Sequence, residues 1–162
     1  MRSICRCWGI EGGTGMIRLA TEKDAQALCI LNEAFNGSGL TTPERIRHSL
    51  LHNPQEVVVV AQEDGRLVGF TCVQLKRSFC YEAAMPEVTE VYVEPAYRNR
   101  GLATQMLAAA EEACQSRGPL QKFELLTGQG NLAAQAAYRK SGYVADGRLH
   151  MSKPEKAEEE NE

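Results

Sequence analysis

Two arginines and a glycine stand where a predicted strand gives way to a predicted helix, in the stretch YRNRGLATQM at residues 97–106. The start of a helix offers free backbone N–H groups and the positive end of the helix dipole, and both attract anions. Gly101 lacks the Cβ that would block a phosphate, and Arg98 and Arg100 add charge that can reach its oxygens. A solvated helix start with incidental arginines is the alternative. The strand, loop and helix together predict a bound polyphosphate.

Hydrophobic periodicity predicts the elements that hold this loop. A strand in MIRLA precedes two helices, and Thr21 can cap the first of them, with Asp24 in the place of the usual glutamate. The β-branched run EVVVVAQ forms a hairpin with LVGFTCVQLKRS around Asp64-Gly65. The strand PEVTEVYVEP leads into the arginine-glycine loop, and the helix after the loop ends at Gly118. A strand in KFELLTG, a helix in NLAAQAAYRKSG and a last strand or hairpin in YVADGRLHMSK follow. The order β-α-α-β-β-β-α-β-α-β predicts a mixed α/β or α+β sheet with helices on both faces.

Composition divides the chain into one domain and two ends. Residues 1–15 lack periodicity and are interrupted by glycine and cysteine, so we expect a flexible N-terminal extension there. Residues 16–153 are enough for one domain with its own core. Residues 154–162 are rich in glutamate, and we expect a disordered acidic tail.

Charge and composition argue against several classes of protein. The net charge of -3 over 162 residues disfavours a general nucleic-acid binder, which would carry a basic domain. No run approaches the roughly 18 apolar residues of a membrane span, so we expect no membrane partner. The six cysteines form no C-x-x-C pair and follow no secretory signal. We therefore expect free thiols and a cytoplasmic location.

Two further sequence patterns could indicate other kinds of binding site. Gly128, Gly130 and Ala133 fit the dinucleotide pattern G-x-G-x-x-A, but only residues 134–162 follow, which is too few for the further strands of such a fold. His48 and His52 have the spacing of two zinc ligands on a helix, but the glutamate of H-E-x-x-H is absent. We expect neither a dinucleotide site nor a metal.

Two segments resemble signatures of a known family. Arg98, Gly101 and Ala103 fit R/Q-x-x-G-x-G/A, the acetyl-coenzyme A loop of the GNAT N-acetyltransferase superfamily. Further along the chain, NLAAQAAYRKSGY is similar to the segment N-x-x-A-x-x-x-Y-x-x-x-G-F/Y of the same family. The matching residues are Asn131, Ala134, Tyr138, Gly142 and Tyr143. The resemblance covers residues 16–153, nearly the whole predicted domain.

The resemblance implies a fold and a donor. The fold would be the GNAT-like acyl-CoA N-acyltransferase fold, with a mixed, mostly antiparallel central sheet of six to seven strands and helices on both faces. Acetyl-CoA would lie with its pantetheine arm beside the strand at Val91, Tyr92 and Val93, and with its pyrophosphate on the backbone amides that follow. The other donor-binding residues implied are Arg98, Asn99, Arg100, Gly101, Leu102, Ala103, Thr104, Asn131 and Ala134.

The resemblance also implies a reaction, the attack of an amine on a thioester without a covalent acyl-enzyme. An amine with a pKa of about 10 must first lose a proton at pH 7, and Glu90 is the candidate base. Alternation places Glu90 on the same strand face as Tyr92; an ion pair with a lysine or arginine is its alternative role. The Tyr138 hydroxyl would protonate the departing thiolate, and a core aromatic is its alternative role. Backbone N–H near Val91 would polarise the carbonyl.

The resemblance leaves the amine acceptor open. The segments AFNGSGLTTPERI and KRSFCYEAAMPE would line its pocket, and the second carries aromatic and acidic residues that suit an amphipathic cation. We predict acetyl transfer in a ternary complex to a small-molecule amine of the polyamine, aminoglycoside or amino-acid type. A protein or peptide amine is one alternative, and a catalytically silent acyl-CoA-binding module is another. Because family members often dimerise, a homodimer is a further expectation.

Overall fold

The structure is a computed structural model that describes residues 7–9 and 15–153. Its strands are β1 (Cys7–Gly9), β2 (Met16–Leu19), β3 (Glu56–Glu63), β4 (Arg66–Lys76), β5 (Met85–Val93) and β6 (Glu124–Leu125). Its α-helices are α1 (Ala25–Asn36), α2 (Pro43–His52), α3 (Leu102–Gln115) and α4 (Leu132–Lys140). Short 3-10 turns lie at Glu22–Asp24 and Pro95–Tyr97.

The described strands form one six-stranded sheet in the order β1-β2-β3-β4-β5-β6. Neighbouring strands are antiparallel except for β5 and β6, which are parallel. This confirms the predicted mixed, mostly antiparallel sheet. The predicted β3–β4 turn is also confirmed, because Asp64 and Gly65 both have positive φ, 49° and 79°, as a two-residue hairpin loop requires.

Helices cover both faces of the sheet, as predicted. On one face α3 packs on a cluster that we call the α3 core, which includes Ile17, Val59, Val73, Leu102, Met106 and Leu107. On the other face α1 packs on the α1 core, which consists of Leu28, Leu31, Val60, Leu67, Phe70 and Tyr92. Full burial of a side chain of this size contributes about 1.5–3 kcal/mol. The start of α3 is therefore fixed firmly against the sheet.

The two ends of the sheet differ from the prediction. At one edge, residues 7–9 of the predicted N-terminal extension form β1 and pair with β2. The rest of residues 1–14 and the predicted acidic tail at 154–162 lie outside the described residues. At the other edge, the strand predicted in KFELLTG is only two residues long.

The last predicted strand or hairpin, YVADGRLHMSK, is wrong, since no strand forms in residues 143–153. Val144, Leu149 and Met151 are each 83–85% exposed, so beyond Tyr143 no apolar side chain holds the segment against the sheet. Two ion pairs attach the segment to the region of β6: Lys122 bonds Asp146 at 3.2 Å, and Arg148 bonds Glu124 at 3.0 Å. Within the segment, Arg148 also lies 3.4 Å from Asp146. From residue 115 to 153 no residue is buried.

Asp24 ties the start of α1 to β2. Its carboxylate accepts hydrogen bonds from the Thr21 backbone N–H at 2.8 Å and from the Arg18 guanidinium at 2.7 and 2.8 Å. This confirms the predicted capping box, in which Asp24 takes the place of the usual glutamate. Burial raises the pKa of Asp24, but the hydrogen bonds from Arg18 and Thr21 outweigh it, so the pKa lies below its ordinary value.

We predict that Asp24→Asn lowers the free energy of unfolding at pH 7 by about 1–3 kcal/mol, because an amide cannot accept both guanidinium bonds. Because the pKa of Asp24 is lower in the folded state, its carboxylate stabilises the fold at pH values above the ordinary pKa of about 3.9. This stabilisation is lost as the pH falls through the folded-state pKa. Urea unfolding should therefore show a smaller difference between variant and wild type at low pH. Glu22→Gln, at an exposed acid of the same turn, is the control. An equal difference at both pH values would contradict the assignment.

Candidate active site

Strand β5 has a partner along only part of one edge. Strand β4 pairs with β5 from Met85 to Val93, whereas β6 pairs with it only at Glu87 and Val88. Among the described residues, the edge of β5 from residue 89 to 93 therefore faces a gap instead of a strand. We call this opening the β5–β6 gap.

The pairing of β4 with β5 decides which backbone groups face the gap. The carbonyl oxygen of Tyr92 points toward β4, where a Cβ on Gly69 would stand only 2.7 Å from it. Because alternate residues direct their backbone groups to opposite edges, those of Val91 and Val93 face the gap. The Val93 carbonyl oxygen accepts a bond from Arg98 Nε at 2.9 Å. Val91 and Val93 thus lie where an extended ligand could add to the edge, whereas the backbone of Tyr92, the third predicted strand residue, faces β4.

A β-bulge interrupts β5 where β6 leaves it. Cys72 of β4 pairs with Glu90, but the next residue, Val73, pairs with Val88. Thr89 is therefore an extra residue in β5 with no partner of its own on β4. The sequence analysis did not predict this bulge.

The bulge sets which side chains of β5 face which core. Val88 lies in the α3 core before the bulge, and Val91 and Val93 contact the same core after it. Tyr92 belongs to the α1 core, and Glu90, two residues away, lies on that same face. The predicted shared face of Glu90 and Tyr92 is therefore confirmed.

Unpaired backbone N–H groups collect at the start of α3. Asn99 and Gly101 both have left-handed backbone conformations, with φ of 63° and 77°. The first helical bond runs from the Gln105 N–H to the Gly101 oxygen at 3.0 Å. In the described part of the chain, the N–H groups from Asn99 to Thr104 have no acceptor. This set of donors at a helix start suits a phosphate group.

The two arginines of the loop have different surroundings. The Arg98 Nε bonds the strand, as described above. The Arg100 guanidinium lies 3.3 Å from a Glu63 carboxylate oxygen and 3.2 Å from the Ala96 carbonyl oxygen, and it stacks on the Tyr97 ring at 5.0 Å. The sequence analysis expected both arginine side chains to reach an anion, but the side chain of Arg100 is engaged elsewhere. Its backbone N–H remains in the donor set.

Helix α4 carries the second motif. The side-chain oxygen of Asn131 caps the helix by accepting the Ala134 N–H at 3.2 Å, so Asn131 has a structural role in any case. Tyr138 is half-buried against the α3 core, and its hydroxyl makes no hydrogen bond within residues 15–153. Burial raises the pKa of Tyr138, so its hydroxyl is a proton donor at neutral pH.

Glu90 lies half-buried on the α1 side of the sheet. Its carboxylate accepts a hydrogen bond from the Thr89 hydroxyl and contacts the Cys72 thiol. The ion pair considered as its alternative role is not formed, because no lysine or arginine bonds it among the described residues. No hydrogen bond joins Glu90 to Tyr138 in the same residues, and the two lie on opposite faces of the sheet.

The thiols of the half-buried Cys72 and the buried Cys114 are poor nucleophiles. Burial, together with the neighbouring carboxylates of Glu90 and Glu56, raises the pKa of Cys72 well above its ordinary value. Burial also raises the pKa of Cys114 to about 11. Both thiols are therefore protonated at neutral pH, and neither offers the thiolate that covalent catalysis requires.

Within residues 15–153, no group of three or more histidine, cysteine or acidic side chains is arranged to hold a metal ion. His48 and His52 stack on the exposed surface of α2, with ring centroids 4.6 Å apart. No helix of the described chain is long and apolar enough to cross a membrane.

Comparison with known proteins gives the family. Residues 25–143 match the model of the acetyltransferase (GNAT) family. The chain belongs to the GNAT family. It is an acetyl-CoA-dependent N-acetyltransferase, as the two sequence motifs predicted.

Similar GNAT proteins act on different acceptors. An uncharacterized N-acetyltransferase of Bacillus subtilis (strain 168), YhfO, is 27% identical over 135 residues, covering 80% of this chain and 90% of that protein. Aminoglycoside N-acetyltransferase AAC(6')-Iy, solved with CoA, has a TM-score of 0.77 at 18% identity, covering 91% of this chain and 99% of that one. A ribosomal-protein-alanine N-acetyltransferase from Brucella melitensis biovar Abortus 2308 has a TM-score of 0.70 at 18% identity, covering 86% and 99%. These structural likenesses show the fold alone.

Tyr143 connects the end of α4 to α3 in this GNAT domain. Its hydroxyl donates to a Glu111 carboxylate oxygen at 2.8 Å, and its ring packs edge-on against Tyr138 with centroids 6.2 Å apart. Burial, and then the bond to Glu111, raise the pKa of Tyr143 above its ordinary value. The sequence analysis matched Tyr143 to the family pattern without finding this contact, which joins residues far apart in the chain.

We predict that Tyr143→Phe lowers the free energy of unfolding by about 1–2 kcal/mol, because it removes a charge-assisted hydrogen bond and leaves the Glu111 carboxylate without its donor. Urea unfolding followed by circular dichroism measures the change. Tyr81→Phe, at an exposed tyrosine of the β4–β5 loop, is the matched control and should leave the midpoint unchanged. Equal effects of the two substitutions would show that the Tyr143 bond does not stabilise the fold.

Proposed function

We propose that this GNAT enzyme transfers the acetyl group of acetyl-CoA to a small-molecule primary amine by direct attack in a ternary complex. The observation that carries the proposal is the position of Glu90. Among the described residues, its half-buried carboxylate has neutral donors as partners and no cation, and it lies at the bulge where the β5–β6 gap opens. A carboxylate without a cationic partner can both attract an ammonium group and accept its proton.

The residues around the gap suit the donor acetyl-CoA. The backbone groups of Val91 and Val93 can pair with the amides of a pantetheine arm, as an added strand would. The N–H groups from Asn99 to Thr104 can hold the pyrophosphate, with Leu102 anchoring the turn in the core. The remaining donor-binding residues in the proposal are Arg98, Arg100, Gly101, Ala103, Asn131 and Ala134.

The proposed roles conserve atoms and charge. Glu90 takes a proton from the substrate ammonium, directly or through water, and the freed amine nitrogen attacks the thioester carbonyl carbon. The Val91 N–H donates to the carbonyl oxygen as negative charge develops there. The C–S bond then breaks, and Tyr138 gives its proton to the departing sulfur. The resulting phenolate regains the proton that the amine nitrogen loses on becoming an amide, and the proton held by Glu90 passes to solvent.

Three aromatic rings support a small amphipathic cation as the acceptor. Phe35, Phe70 and Tyr92 pack with centroids 5.2–6.2 Å apart on the face of the sheet that carries Glu90. Phe35 remains 43% exposed at the end of α1, so its ring is open to a ligand. Aromatic faces attract ammonium groups, and a carboxylate beside them strengthens that attraction. A protein or peptide N-terminus is the competing acceptor, as in the ribosomal-protein-alanine enzyme of similar fold.

We predict that Gly101→Ala abolishes most of the thermal stabilisation that CoA gives to the wild type, because a side chain in the left-handed conformation disturbs the donor loop. The melting temperature with and without millimolar CoA measures this. Gly65→Ala is the matched control, since Gly65 has nearly the same φ, 79°, but lies in the β3–β4 turn. It should melt lower by a similar amount and keep the CoA shift. Equal CoA shifts in the two variants would exclude this loop as the pyrophosphate site.

We predict that Glu90→Gln lowers kcat by about 10²–10⁴-fold with the best acceptor, because the amide cannot accept the ammonium proton. A panel of polyamines, aminoglycosides, amino-acid amines and peptides with free N-termini is assayed by release of the CoA thiol. Glu56→Gln is the control, since Glu56 is half-buried on the same face but is bonded by Ser49 and Gln74 away from the gap. Turnover of peptides alone would replace the small-molecule acceptor with a protein one. CoA binding without any turnover would indicate a silent binding module.

A further inference from the structure

We propose that Thr89, the extra residue of the β5 bulge, is a positioning residue that holds the Glu90 carboxylate in place for proton transfer. The inference rests on the proposed role of Glu90 as the base. It adds a residue that neither sequence motif contains.

The bulge is what allows the contact. On a regular strand, successive side chains point to opposite faces, so a Thr89 hydroxyl could not meet a Glu90 carboxylate. Because Thr89 is inserted without a partner on β4, the hydroxyl and the carboxylate meet, and Thr89 donates to Glu90 Oε2. The same hydroxyl oxygen lies 3.4 Å from the carbonyl oxygen of Cys72, directly across from Glu90. Because the hydroxyl has one proton, which it donates to Glu90, this longer contact is not a second hydrogen bond.

The partners of Glu90 differ from those of another carboxylate on this part of the sheet. Glu87, on the same strand before the bulge, is paired with Lys76 at 2.6 Å, so its charge is already neutralised. Glu90 has the Thr89 hydroxyl and the Cys72 thiol instead. Neutral donors restrict the carboxylate without cancelling its charge, and the Thr89 bond to Oε2 leaves lone pairs for an ammonium proton.

Holding the Glu90 carboxylate in place matters because a glutamate side chain on a strand edge has several rotatable bonds. Without a tether, the carboxylate spends part of its time away from the substrate, and proton transfer depends on the fraction in reach. Thr89 itself is exposed and fills no part of either core. Its loss should therefore affect turnover much more than stability.

The test compares Thr89→Val, which keeps the shape and removes the hydroxyl, with Thr89→Ser, which keeps the hydroxyl. With the amine that gives the highest turnover, we expect Thr89→Val to lower kcat about tenfold while KM for acetyl-CoA stays the same. We expect Thr89→Ser to retain kcat within about threefold. Both variants should melt within about 2 °C of the wild type and keep the thermal shift with CoA, which shows that they are folded.

A double-mutant cycle separates this inference from the proposed function. In the Glu90→Gln background, Thr89→Val should cause almost no further loss, because both residues act through one carboxylate. Two outcomes would overturn the inference and leave Glu90 as the base. One is that Thr89→Val lowers turnover as much in the Glu90→Gln background as in the wild type. The other is that Thr89→Val keeps wild-type turnover while Glu90→Gln is inactive. Wild-type turnover of Glu90→Gln would instead overturn the base assignment, and this inference with it.

Discussion

The site depends on the hydrogen-bonding groups of one strand, β5. One edge of β5 pairs with β4 from Met85 to Val93 except at the bulge residue Thr89, while the other edge pairs with β6 at only two of the described residues. Backbone N–H and C=O groups that are left unpaired near a core are costly, so the edge at Val91 and Val93 favours a ligand that supplies the missing partners. Arg98 already satisfies one of these groups, the Val93 oxygen. The β5–β6 gap is thus a direct result of incomplete strand pairing.

Two features align the rest of the site with that edge. The α3 core anchors Leu102 and Met106 against the same strands, which places the unpaired N–H groups of the helix start just beyond the end of β5. The bulge at Thr89 turns Glu90 toward the α1 side while Val91 keeps its contact with the α3 core. One strand therefore offers a carboxylate on one face and backbone donors at its edge. The fold achieves this with a single inserted residue.

Local patterns predicted the parts of the fold that depend on neighbouring residues. The β3–β4 turn followed from Asp64-Gly65, the α1 cap from Thr21 and Asp24, and the helix-start loop from its arginines and glycine. Contacts distant in sequence were not predictable: Glu63 draws the Arg100 side chain away, and ion pairs rather than strand pairing hold residues 146–148. The sequence does contain a sign of the bulge, because Val88 and Val91 are three positions apart, whereas the apolar residues on one face of a regular strand are separated by an even number of positions. Only a strand with an extra residue keeps all of them on one core.

The absence of any buried residue from 115 to 153 has a consequence for how the enzyme meets its donor. A unit with so little buried apolar surface opens locally at a small free energy, well below that of global unfolding. The unit contains Asn131 and Tyr138, so the proposed site would be complete only in the fraction of molecules in which β6 and α4 are docked. Apparent donor affinity would be reduced by that fraction, and a bound donor would in turn protect the unit from opening. Amide hydrogen exchange in this quarter of the chain would thus report the occupancy of the site.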